Sequence, residues 1–380
     1  MKPLKVAIVH DYLNQMGGAE RVVAVFHKMF PDAPIFTTIV DRDALLPELR
    51  HADIRTTWMQ HIPGVLRKFK HFFWLYPFAV QSIDLRDYDL VVSSSSAYAK
   101  GVPISGKTVH ICYCHTPMRF AWDFSTYMEG MKIPAIAKWA ARNTVKLLKR
   151  WDIRSTRSVH HLIANSSVVQ QRIEAFYGRK SVKIFPPVDV NRYELNTEFL
   201  GDYYLVVSRL VSYKKIDLAV EACSQLGKKL IVVGAGPDLE RLLSLAGDNV
   251  HFTGRLSDEE VVSYMKHCKA FLFPGLEDFG ITPLEANACG RPVIAYRGGG
   301  ALDTVFPGVN GCYFEEQTVG SLAAALARFE SMTWDPSCIR QHAEQFSERR
   351  FMKEVMEFVE RQANEAGKFA PLKYVAATKI

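Results

Sequence analysis

The stretch AFLFPGLEDFGITPLE, residues 270–285, combines an apolar strand-like run, a loop and the start of a helix. Thr282 suits the N-cap of that helix and Pro283 its first residue, because these residue types favour those positions. Two glutamates lie on either side of this start. Glu285 fits a capping box, in which its side chain reaches back to the N-cap amide. Glu277 has no such structural explanation, so it is the first candidate for a functional residue.

Short apolar runs of this kind alternate with helical patterns along the whole chain. Such alternation predicts parallel β-sheets covered by helices on both faces, the α/β class. The runs form two series, which indicates two domains joined at FPPVDVNRYE (185–194), and residues 347–363 are typical of a long terminal helix. The predicted strands are KVAIVH (5–10), DLVVSSS (89–95), VHICYCH (109–115) and HLIANSS (161–167), then YYLVVSR (203–209), KLIVVGAG (229–236), NVHFTG (249–254), AFLFPG (270–275) and RPVIAYRGG (291–299).

Length and composition limit the range of functions. The chain has 380 residues, enough for two domains, and its 48% hydrophobic and 23% charged residues are typical of a soluble globular protein. Its net charge of +7 favours anionic ligands or surfaces but is too small to indicate a nucleic-acid partner. The N-terminal MKPLKVAIVHD favours a buried strand over a signal peptide, and no apolar window reaches the roughly 18 residues of a membrane span.

The cysteines indicate the redox environment. There are seven, an odd number, and none forms a CxxC pair, which predicts reduced thiols and a cytoplasmic location. Cys112 and Cys114 are two apart within a strand-like run, so we expect them on the same face of that strand.

Two cations form a candidate phosphate site. Arg209 ends the first strand of the second series, and Lys214 follows five residues later. Both could reach a diphosphate, Arg209 through its planar fork and Lys214 as a point charge. Surface pairs of this kind are common, but the helix start at Gly280–Thr282 adds free amides and a dipole that also suit phosphate. Together these residues predict a diphosphate cradle in which Gly280 lets the ligand approach the backbone.

Other loops of the second series follow predicted strands. GAGPDLE (234–240) is interpreted as a tight structural turn, because Leu239 occupies the third glycine position of a dinucleotide fingerprint. Ser257 is expected to cap the next helix, with Glu260 as its capping-box partner. A base-binding slot could be lined by the backbone of Gly254, Arg255 and Leu256.

In the first series, two features lie at strand ends. Gly17 and Gly18 separate the first strand from a helix, and their amides could meet a phosphate or an acceptor; a flexible turn is the alternative. His115 closes VHICYCH before Thr116-Pro117, which makes it a cleft candidate, although a single histidine is usually structural.

Taken together, Glu277 and Glu285 at their spacing, Phe279-Gly280 between them, and Arg209 with Lys214 upstream resemble the family 4 glycosyltransferases. The glutamate pair with its Arg/Lys partner is the specific part of the resemblance. These retaining enzymes have the GT-B fold, in which two Rossmann-like domains with parallel sheets face a central cleft, and they use nucleotide-activated sugars. Further matching features are GGAER near the start, His115, IANSS, FPPVD, GAGP and the GGG of residues 298–300.

The resemblance implies a division of labour between the domains. Residues 1–186 would form an N-terminal Rossmann-like acceptor-binding domain, and residues 187–350 a C-terminal Rossmann-like domain that binds the nucleotide sugar. Residues 351–380 would form a C-terminal helix and tail that pack back on the N-terminal domain.

Carried over residue by residue, the resemblance implies a donor site. Glu277 would hold hydroxyls of the donor sugar, and Glu285 would bind the ribose. Arg209 and Lys214 would neutralise the diphosphate as it leaves, a task that a metal performs in other enzymes. The implied donor-binding residues are Gly18, Arg209, Lys214, Gly254, Arg255, Leu256, Phe279, Gly280, Ile281, Thr282 and Glu285.

The implied catalytic residues are Glu277 and His115, and His115 would approach the donor sugar from the first domain. The leaving phosphate would help to deprotonate the acceptor, so no protein nucleophile is required. No cofactor and no metal are expected, since the nucleotide sugar is a substrate. Asp87-Tyr88-Asp89 mimics the metal-binding DxD motif of another class of sugar transferases, but it precedes its strand and is interpreted as structural capping.

The run CHTPMRFAWD (114–123) resembles a subgroup that adds mannose-type sugars to bacterial surface polysaccharides, often from GDP-mannose. Gly17, Arg119 and Trp122 would then contact the acceptor, although Arg119 and Trp122 could equally pack the domain. The expected partners are a nucleotide-sugar donor and a lipid-linked glycan acceptor, without nucleic acid.

Residues 54–83 contain no acidic residue, four Arg or Lys and seven aromatics. This composition suits an interfacial segment on anionic lipid, and a helical pair partly buried in the first domain is the alternative. Members of the family often extend lipid-linked sugars, which favours a peripheral location on the inner face of the plasma membrane. The basic stripe Lys138, Arg142, Lys146, Lys149 and Arg150 is interpreted as a solvated helix face.

Two other functions are compatible with these residues. A nucleotide-sugar 2-epimerase of the same fold would consume its substrate without an acceptor, whereas a phosphorylase-like enzyme would usually need a pyridoxal lysine that no motif here supplies. A non-catalytic nucleotide-sugar-binding partner belongs to a different class. The complete set of charged site residues and His115 argues against inactivity.

Overall fold

The computed structural model describes residues 4–123, 135–198 and 201–365, without the side chains of residues 135–142 and 363–365. The chain forms two compact units. Unit 1 runs to Phe185 and resumes at Phe351, whereas unit 2 comprises Pro186–Arg350. The boundary between Phe185 and Pro186 lies inside the proline-containing stretch 185–194.

Unit 1 contains a sheet of seven strands whose pairs are all parallel. The strands are β1 (Val6–His10), β2 (Ile35–Thr37), β3 (Ile54–Thr56), β4 (Leu90–Ser95), β5 (Val109–Cys114), β6 (His161–Ala164) and β7 (Val182–Lys183). Their spatial order is β3-β2-β1-β4-β5-β6-β7, so the chain order reverses between the neighbours β1 and β4. In open α/β sheets, ligands bind beside the carboxyl ends of the strands at such a reversal.

Unit 2 repeats this plan with six parallel strands. They are β8 (Tyr204–Val207), β9 (Leu230–Val233), β10 (Val250–Gly254), β11 (Ala270–Phe273), β12 (Val293–Tyr296) and β13 (Gly311–Phe314). The order β10-β9-β8-β11-β12-β13 places the reversal between β8 and β11.

Helices connect the strands of both sheets. The helices are α1 (Gly18–Met29), α2 (Val65–Lys68), α3 (Tyr76–Gln81), α4 (Arg119–Trp122), α5 (Ala135–Ser155), α6 (Ser167–Tyr177), α7 (Ile216–Gln225), α8 (Leu239–Leu245), α9 (Asp258–His267), α10 (Ile281–Ala288), α11 (Ala301–Thr304), α12 (Val319–Phe329), α13 (Pro336–Glu344) and α14 (Glu348–Glu365). Polar caps start several of them, as where Ser166 Oγ accepts the Val169 amide at 3.2 Å. The predicted capping box of Ser257 and Glu260 at the start of α9 is confirmed.

The core of unit 1 lies on both faces of its sheet. Tyr113 belongs to a buried cluster on one face, together with Phe26 of α1 and Phe351 of α14. Cys112 and Cys114 lie in another buried cluster, which confirms that the two cysteines share a face of β5. The Phe351 ring packs 5.7 Å from that of Phe26 and 5.5 Å from that of Tyr113, between centroids. The terminal helix therefore supplies part of the unit 1 core.

The predicted fold class, two Rossmann-like α/β domains with parallel sheets, is confirmed. Each of the predicted runs contains a strand, but β2, β3, β7 and β13 were not predicted. The first three are only two or three residues long, too short to show a strand period. The alternative for residues 54–83, a helical pair partly buried in the first domain, is confirmed: α2 and α3 are short helices that contribute to the unit 1 core, and β3 precedes them.

Candidate functional site

The residues predicted to bind a diphosphate come together at the carboxyl ends of β8 and β11, where the strand order of unit 2 reverses. Arg209 and Lys214 follow β8, whereas Glu277 and Thr282 follow β11. All four line one cavity. This is the position at which open α/β sheets bind their ligands.

An ion pair crosses this cavity. Lys214 Nζ pairs with Glu277 Oε1, and the two side chains are 15% and 22% exposed. Arg209 donates a hydrogen bond from Nη2 to the hydroxyl of Tyr213 at 3.3 Å, and the Lys214 ammonium lies 5.6 Å from the centroid of the same ring. Tyr213, which the sequence patterns did not single out, thus links both cations. With two cations and one carboxylate the cluster is net positive and suits an anionic ligand.

The helix beside this cluster begins earlier than its sequence predicts. α10 spans Ile281–Ala288, and Gly280 is its N-cap. The expected roles of Thr282 as N-cap, Pro283 as first helical residue and Glu285 as capping-box partner are therefore wrong. All three residues lie inside the helix.

Gly280 is the physical reason for the earlier start. Its φ of +86° lies in the left-handed region that favours glycine, and a Cβ there would lie 2.6 Å from Cζ of Phe273. As the N-cap, Gly280 forms no side-chain cap hydrogen bond. A helix start without such a cap can offer its first amides to a phosphate.

The loop before α10 depends on packing that only glycine permits. Phe279 is 4% exposed, and the centroid of its ring lies 6.1 Å from that of Phe346. The Gly300 amide donates to the Glu277 carbonyl oxygen at 2.8 Å, and a Cβ at Gly300 would lie 2.2 Å from Phe279 Cα. The GGG motif therefore supports this loop. Glu285 is buried within α10, with 8% of its surface exposed.

The GAGP turn supports the loop that carries Arg209. A Cβ at Gly234 would lie 1.9 Å from the Ser208 carbonyl oxygen, and one at Gly236 would lie 2.1 Å from that of Leu210. The prediction of a tight structural turn is confirmed, because both glycines pack backbone against backbone on the two sides of Arg209.

The three residues of the predicted base slot lie at the end of β10, at the same edge of the sheet. Gly254 has a φ of +74° and open space around it, Arg255 is exposed and Leu256 is half-buried. The Gly234 amide donates to the Gly254 carbonyl oxygen at 2.8 Å. The Gly234 turn therefore lies between this loop and the one that carries Arg209.

In unit 1, the glycine turn before α1 is fixed by a buried glutamate. Gly17 is the N-cap of α1, and its amide donates to Glu20 Oε2 at 3.0 Å. A Cβ at Gly17 would lie 2.6 Å from that oxygen. The flexible-turn alternative is wrong, and the Gly17 amide expected to face a ligand is engaged within the chain. Gly18 is the first residue of α1 and is exposed.

His115 lies at the end of β5, where its Nε2 is 2.8 Å from Ser94 Oγ. Burial, together with the nearby His10, lowers the pKa of His115 to about 3, so its ring is neutral at neutral pH. Burial lowers the pKa of His10 as well, but the adjacent Glu20 more than offsets this and the pKa of His10 is raised. His10 and Ser94 are site residues that no motif indicated; the signal was a polar residue at the end of each buried strand.

Asp11 is a further buried residue at the reversal of unit 1 that no motif indicated. It is 2% exposed and follows β1 directly. Its carboxylate accepts hydrogen bonds from the backbone amides of Ser96 at 2.6 Å, Ala97 at 2.9 Å, Tyr98 at 2.7 Å and Ala99 at 2.6 Å. A group of amides that could hold an anion is therefore filled by the chain's own carboxylate.

The predicted acceptor residues Arg119 and Trp122 lie on the short helix α4. The Trp122 ring stacks on Phe176 at 4.1 Å between centroids, and its indole donates to Asp152 Oδ2 at 2.7 Å. Asp152 is fully buried and forms an ion pair with the equally buried Lys100 at 2.6 Å. These contacts favour the packing alternative for Trp122. Arg119 is half-buried.

Two other sequence features have structural roles. Asp89 Oδ2 accepts the Lys5 amide at 3.0 Å at the amino end of β4, in agreement with capping. Among the residues that the structure describes, no three His, Cys, Asp or Glu form a metal-ligand group. Of the basic stripe, Lys146 and Arg150 are exposed, whereas the side chains of Lys138 and Arg142 lie outside the described part.

Comparison with known families gives two matches that together cover most of the chain. Residues 16–192 match the family model described as Glycosyltransferase Family 4. Residues 198–349 match the family model described as Glycosyl transferases group 1.

Several relatives are mannosyltransferases by name. The GDP-mannose-dependent alpha-(1-6)-phosphatidylinositol monomannoside mannosyltransferase of Mycolicibacterium smegmatis is 35% identical over 147 residues, which are 33% of this chain and 38% of that protein. The Mycobacterium tuberculosis protein of the same name is 34% identical over 193 residues, 43% of this chain and 50% of that protein. The chain thus matches half or less of the length of these relatives.

Solved structures with a similar fold cover nearly the whole chain. Anabaena Alr3699/HepE in complex with UDP and glucose has a TM-score of 0.70 at 20% identity, over 94% of this chain and 99% of that chain. Sucrose-phosphate synthase from Thermosynechococcus elongatus has a TM-score of 0.69 at 17% identity, over 96% and 100%. The expected GT-B fold class is confirmed.

Proposed function

We propose that this chain, which belongs to glycosyltransferase family 4, transfers a sugar from a nucleoside-diphosphate donor to an acceptor with retention of configuration. One observation carries the proposal. Arg209, Lys214 and Glu277 converge with the uncapped start of α10 at the strand reversal of unit 2. Cations and free amides at one point suit a diphosphate, and the carboxylate suits sugar hydroxyls.

The reaction needs stabilisation of the negative charge that develops on the leaving diphosphate. Arg209 and Lys214 supply it as fixed cations, and the α10 amides add donors whose dipole has the right sign. Glu277 orients Lys214 through their ion pair and accepts hydrogen bonds from the donor sugar. The leaving phosphate oxygen takes the proton of the acceptor hydroxyl, so the chain needs no nucleophile and no metal.

We assign GDP-mannose as the donor and a lipid-linked or polysaccharide glycan of the bacterial surface as the acceptor. The names of the mannosyltransferase relatives support this assignment, as does the CHTPMRFAWD run. We also assign ribose binding to Glu285, the role that the family resemblance implies for this residue of α10.

The membrane is the proposed location of this reaction. Arg67, Lys68 and Lys70 are exposed, and three large aromatics of the same stretch are exposed as well: Trp58 at 43%, Trp74 at 52% and Phe78 at 63%. We name these six residues the basic–aromatic surface. Its composition suits the headgroup region of an anionic bilayer. Phe69, Phe72 and Phe73 are instead partly buried against the unit 1 core, so residues 54–83 divide between core and surface.

Within the described ranges, no helix has both the length and the apolar character of a membrane span. Contact with lipid through the basic–aromatic surface would therefore be peripheral.

The decisive experiment offers the protein a panel of nucleotide sugars, including GDP-mannose, UDP-glucose and UDP-GlcNAc, with and without a lipid-linked acceptor. Transfer of mannose only in the presence of acceptor supports the proposal. Conversion of the donor without acceptor indicates an epimerase, and binding without turnover indicates a non-catalytic partner. Lys214→Ala should abolish most of the transfer. Lys229→Ala is the matched control, because Lys229 is an exposed lysine just before β9, at the opposite end of the same sheet.

A further inference from the structure

Four side chains of unit 1 form a continuous series of contacts from helix α1 to His115. Glu20 Oε1 lies 3.8 Å from His10 Nε2. The other ring nitrogen of His10, Nδ1, lies 2.9 Å from the Ser94 carbonyl oxygen and 3.1 Å from Ser94 Oγ. Ser94 Oγ lies 2.8 Å from His115 Nε2. Because Glu20, His10 and Ser94 are almost fully buried, these groups must satisfy one another.

The positions of the protons follow from the chemistry of these atoms. A carbonyl oxygen only accepts, so His10 Nδ1 is protonated and donates to Ser94. A protonated Nδ1 cannot accept the Ser94 hydroxyl proton, which leaves His115 Nε2 as its acceptor. Nε2 of a neutral His115 is then unprotonated, and the ring proton lies on Nδ1. Nδ1 of His115 has no hydrogen-bond partner among the described residues.

The surrounding charges keep this arrangement in place. Burial and His10 hold the pKa of His115 well below its ordinary value, so His115 stays neutral. Glu20 on α1 and Asp11, which follows β1, are the acidic groups that act on His10, and Ser94 on β4 carries no charge. Glu20 also fixes the Gly17 amide and accepts from Gln15 Nε2 at 3.1 Å. One network therefore holds both the glycine turn and His115.

We propose that Ser94 is a positioning residue that keeps His115 in the Nδ1–H tautomer. Nδ1 is then free to donate a hydrogen bond to a substrate oxygen at the carboxyl end of β5. The identity of that ligand rests on the proposed function, whereas the tautomer does not. In this arrangement His10 and Glu20 act through Ser94, and only His115 contacts the substrate.

The tautomer can be measured directly by long-range 1H–15N correlation NMR on protein labelled with 15N-histidine. The signals of His115 are assigned by their loss in His115→Gln. In the wild type we expect an unprotonated Nε2 and a protonated Nδ1. In Ser94→Ala the proton should shift towards Nε2, and in His10→Gln the pKa of His115 should rise.

Ser93 provides a matched control on the same pair of strands. It is also fully buried, and its Oγ lies 2.8 Å from Nε2 of His110 on β5. Ser93→Ala therefore removes an equivalent serine–histidine hydrogen bond without touching His115. Relative to this control, Ser94→Ala should lower kcat about three- to tenfold, the range expected for one hydrogen bond, and Ser94→Thr should restore part of it.

An Nε2–H tautomer of His115 in the wild type overturns the proposal, and this measurement requires no variant that folds. Unchanged tautomer in Ser94→Ala overturns it as well, as does equal turnover of Ser94→Ala and Ser93→Ala. If the wild type shows the expected tautomer but transfers no sugar, the proposed function fails while the role of Ser94 in setting the tautomer stands.

Discussion

Replacing Lys214 by alanine tests the diphosphate cradle most directly. The change removes one of the two cations and leaves Glu277, with its 22% exposed side chain, unpaired at the same cavity. A charge-assisted hydrogen bond contributes about 1.5–3 kcal/mol, which corresponds to about a 10- to 150-fold loss of affinity. Because Lys214 is only 15% exposed, salt should screen this contribution incompletely. We expect the dissociation constant for GDP to rise by this factor.

Glu277→Ala should have the opposite effect on the affinity for GDP. Removing the carboxylate releases Lys214 for the phosphates and removes a like charge, so GDP should bind as tightly as to the wild type or more tightly. Sugar transfer should nevertheless fall, because the donor sugar loses its acceptor group. The double variant should bind GDP better than Lys214→Ala alone, since no unpaired carboxylate then faces the ligand.

Isothermal titration calorimetry of GDP into each folded variant measures these effects, with circular dichroism to confirm folding. Lys229→Ala serves as the control for loss of a positive charge. The cradle is refuted if Lys214→Ala weakens GDP binding no more than Lys229→Ala does. Weaker GDP binding by Glu277→Ala would separately show that the carboxylate supports, rather than competes with, the diphosphate.

Four further outcomes are expected. Transfer should survive EDTA, and activity lost to EDTA and regained with magnesium or manganese would contradict the metal-free proposal. Glu285→Ala should clearly weaken GDP binding in calorimetry; unchanged affinity would return Glu285 to a structural role. Replacing the three cations of the basic–aromatic surface by glutamine should lower the affinity for anionic vesicles about 100-fold, at about 1 kcal/mol per charge, as measured by co-sedimentation. Sugar transfer to a water-soluble acceptor should be unchanged, and co-sedimentation equal to that of the wild type would contradict the proposed membrane contact. Finally, burial lowers the pKa of His110 and His115 to about 3 in the folded protein, whereas unfolded histidines bind protons below about pH 6.5. The free energy of unfolding, measured by denaturant titration, should therefore decrease as the pH is lowered from about 6.5 to about 3, and less steeply in His110→Gln. A free energy of unfolding that does not change over this pH range would contradict the prediction.

Much of the fold was readable because parallel strands buried on both faces are nearly continuous apolar runs. The convergence of Arg209 and Glu277 was predictable for a related reason, since each follows such a run and the carboxyl ends of parallel strands share one edge. The start of α10 could not be predicted in this way. Thr282-Pro283 is a good local signal for a helix start, but the positive φ of Gly280 and its close contact with Phe273 make the helix begin one residue earlier than Thr282. Local propensity decides a helix start only where the backbone before it is unconstrained.

The network around His115 could not be predicted for a different reason. His10 and Ser94 are 84 residues apart, and each alone resembles an ordinary polar residue at the end of a buried strand. Only the register of the sheet pairs them, with His10 opposite Ser94 across β1 and β4. If the register of β4 were shifted by one residue, Ser94 would point to the opposite face of the sheet, the face on which Ser93 contacts His110. Register is a property of the assembled sheet, so no single segment encodes this contact.

The two strand reversals have the same topology and opposite electrostatics. Between β8 and β11, two cations and a helix start without an N-cap side chain lie at one cavity, which suits an anion. Between β1 and β4, the equivalent amides are already occupied by the Asp11 carboxylate, with oxygens 2.6–2.9 Å from the four nitrogens. A diphosphate would have to displace that carboxylate or lie beside a like charge, whereas a neutral hydroxyl would not. On the proposed function, the charged donor would bind at the reversal of unit 2, whereas the reversal of unit 1, with its neutral His115, suits hydroxyl groups.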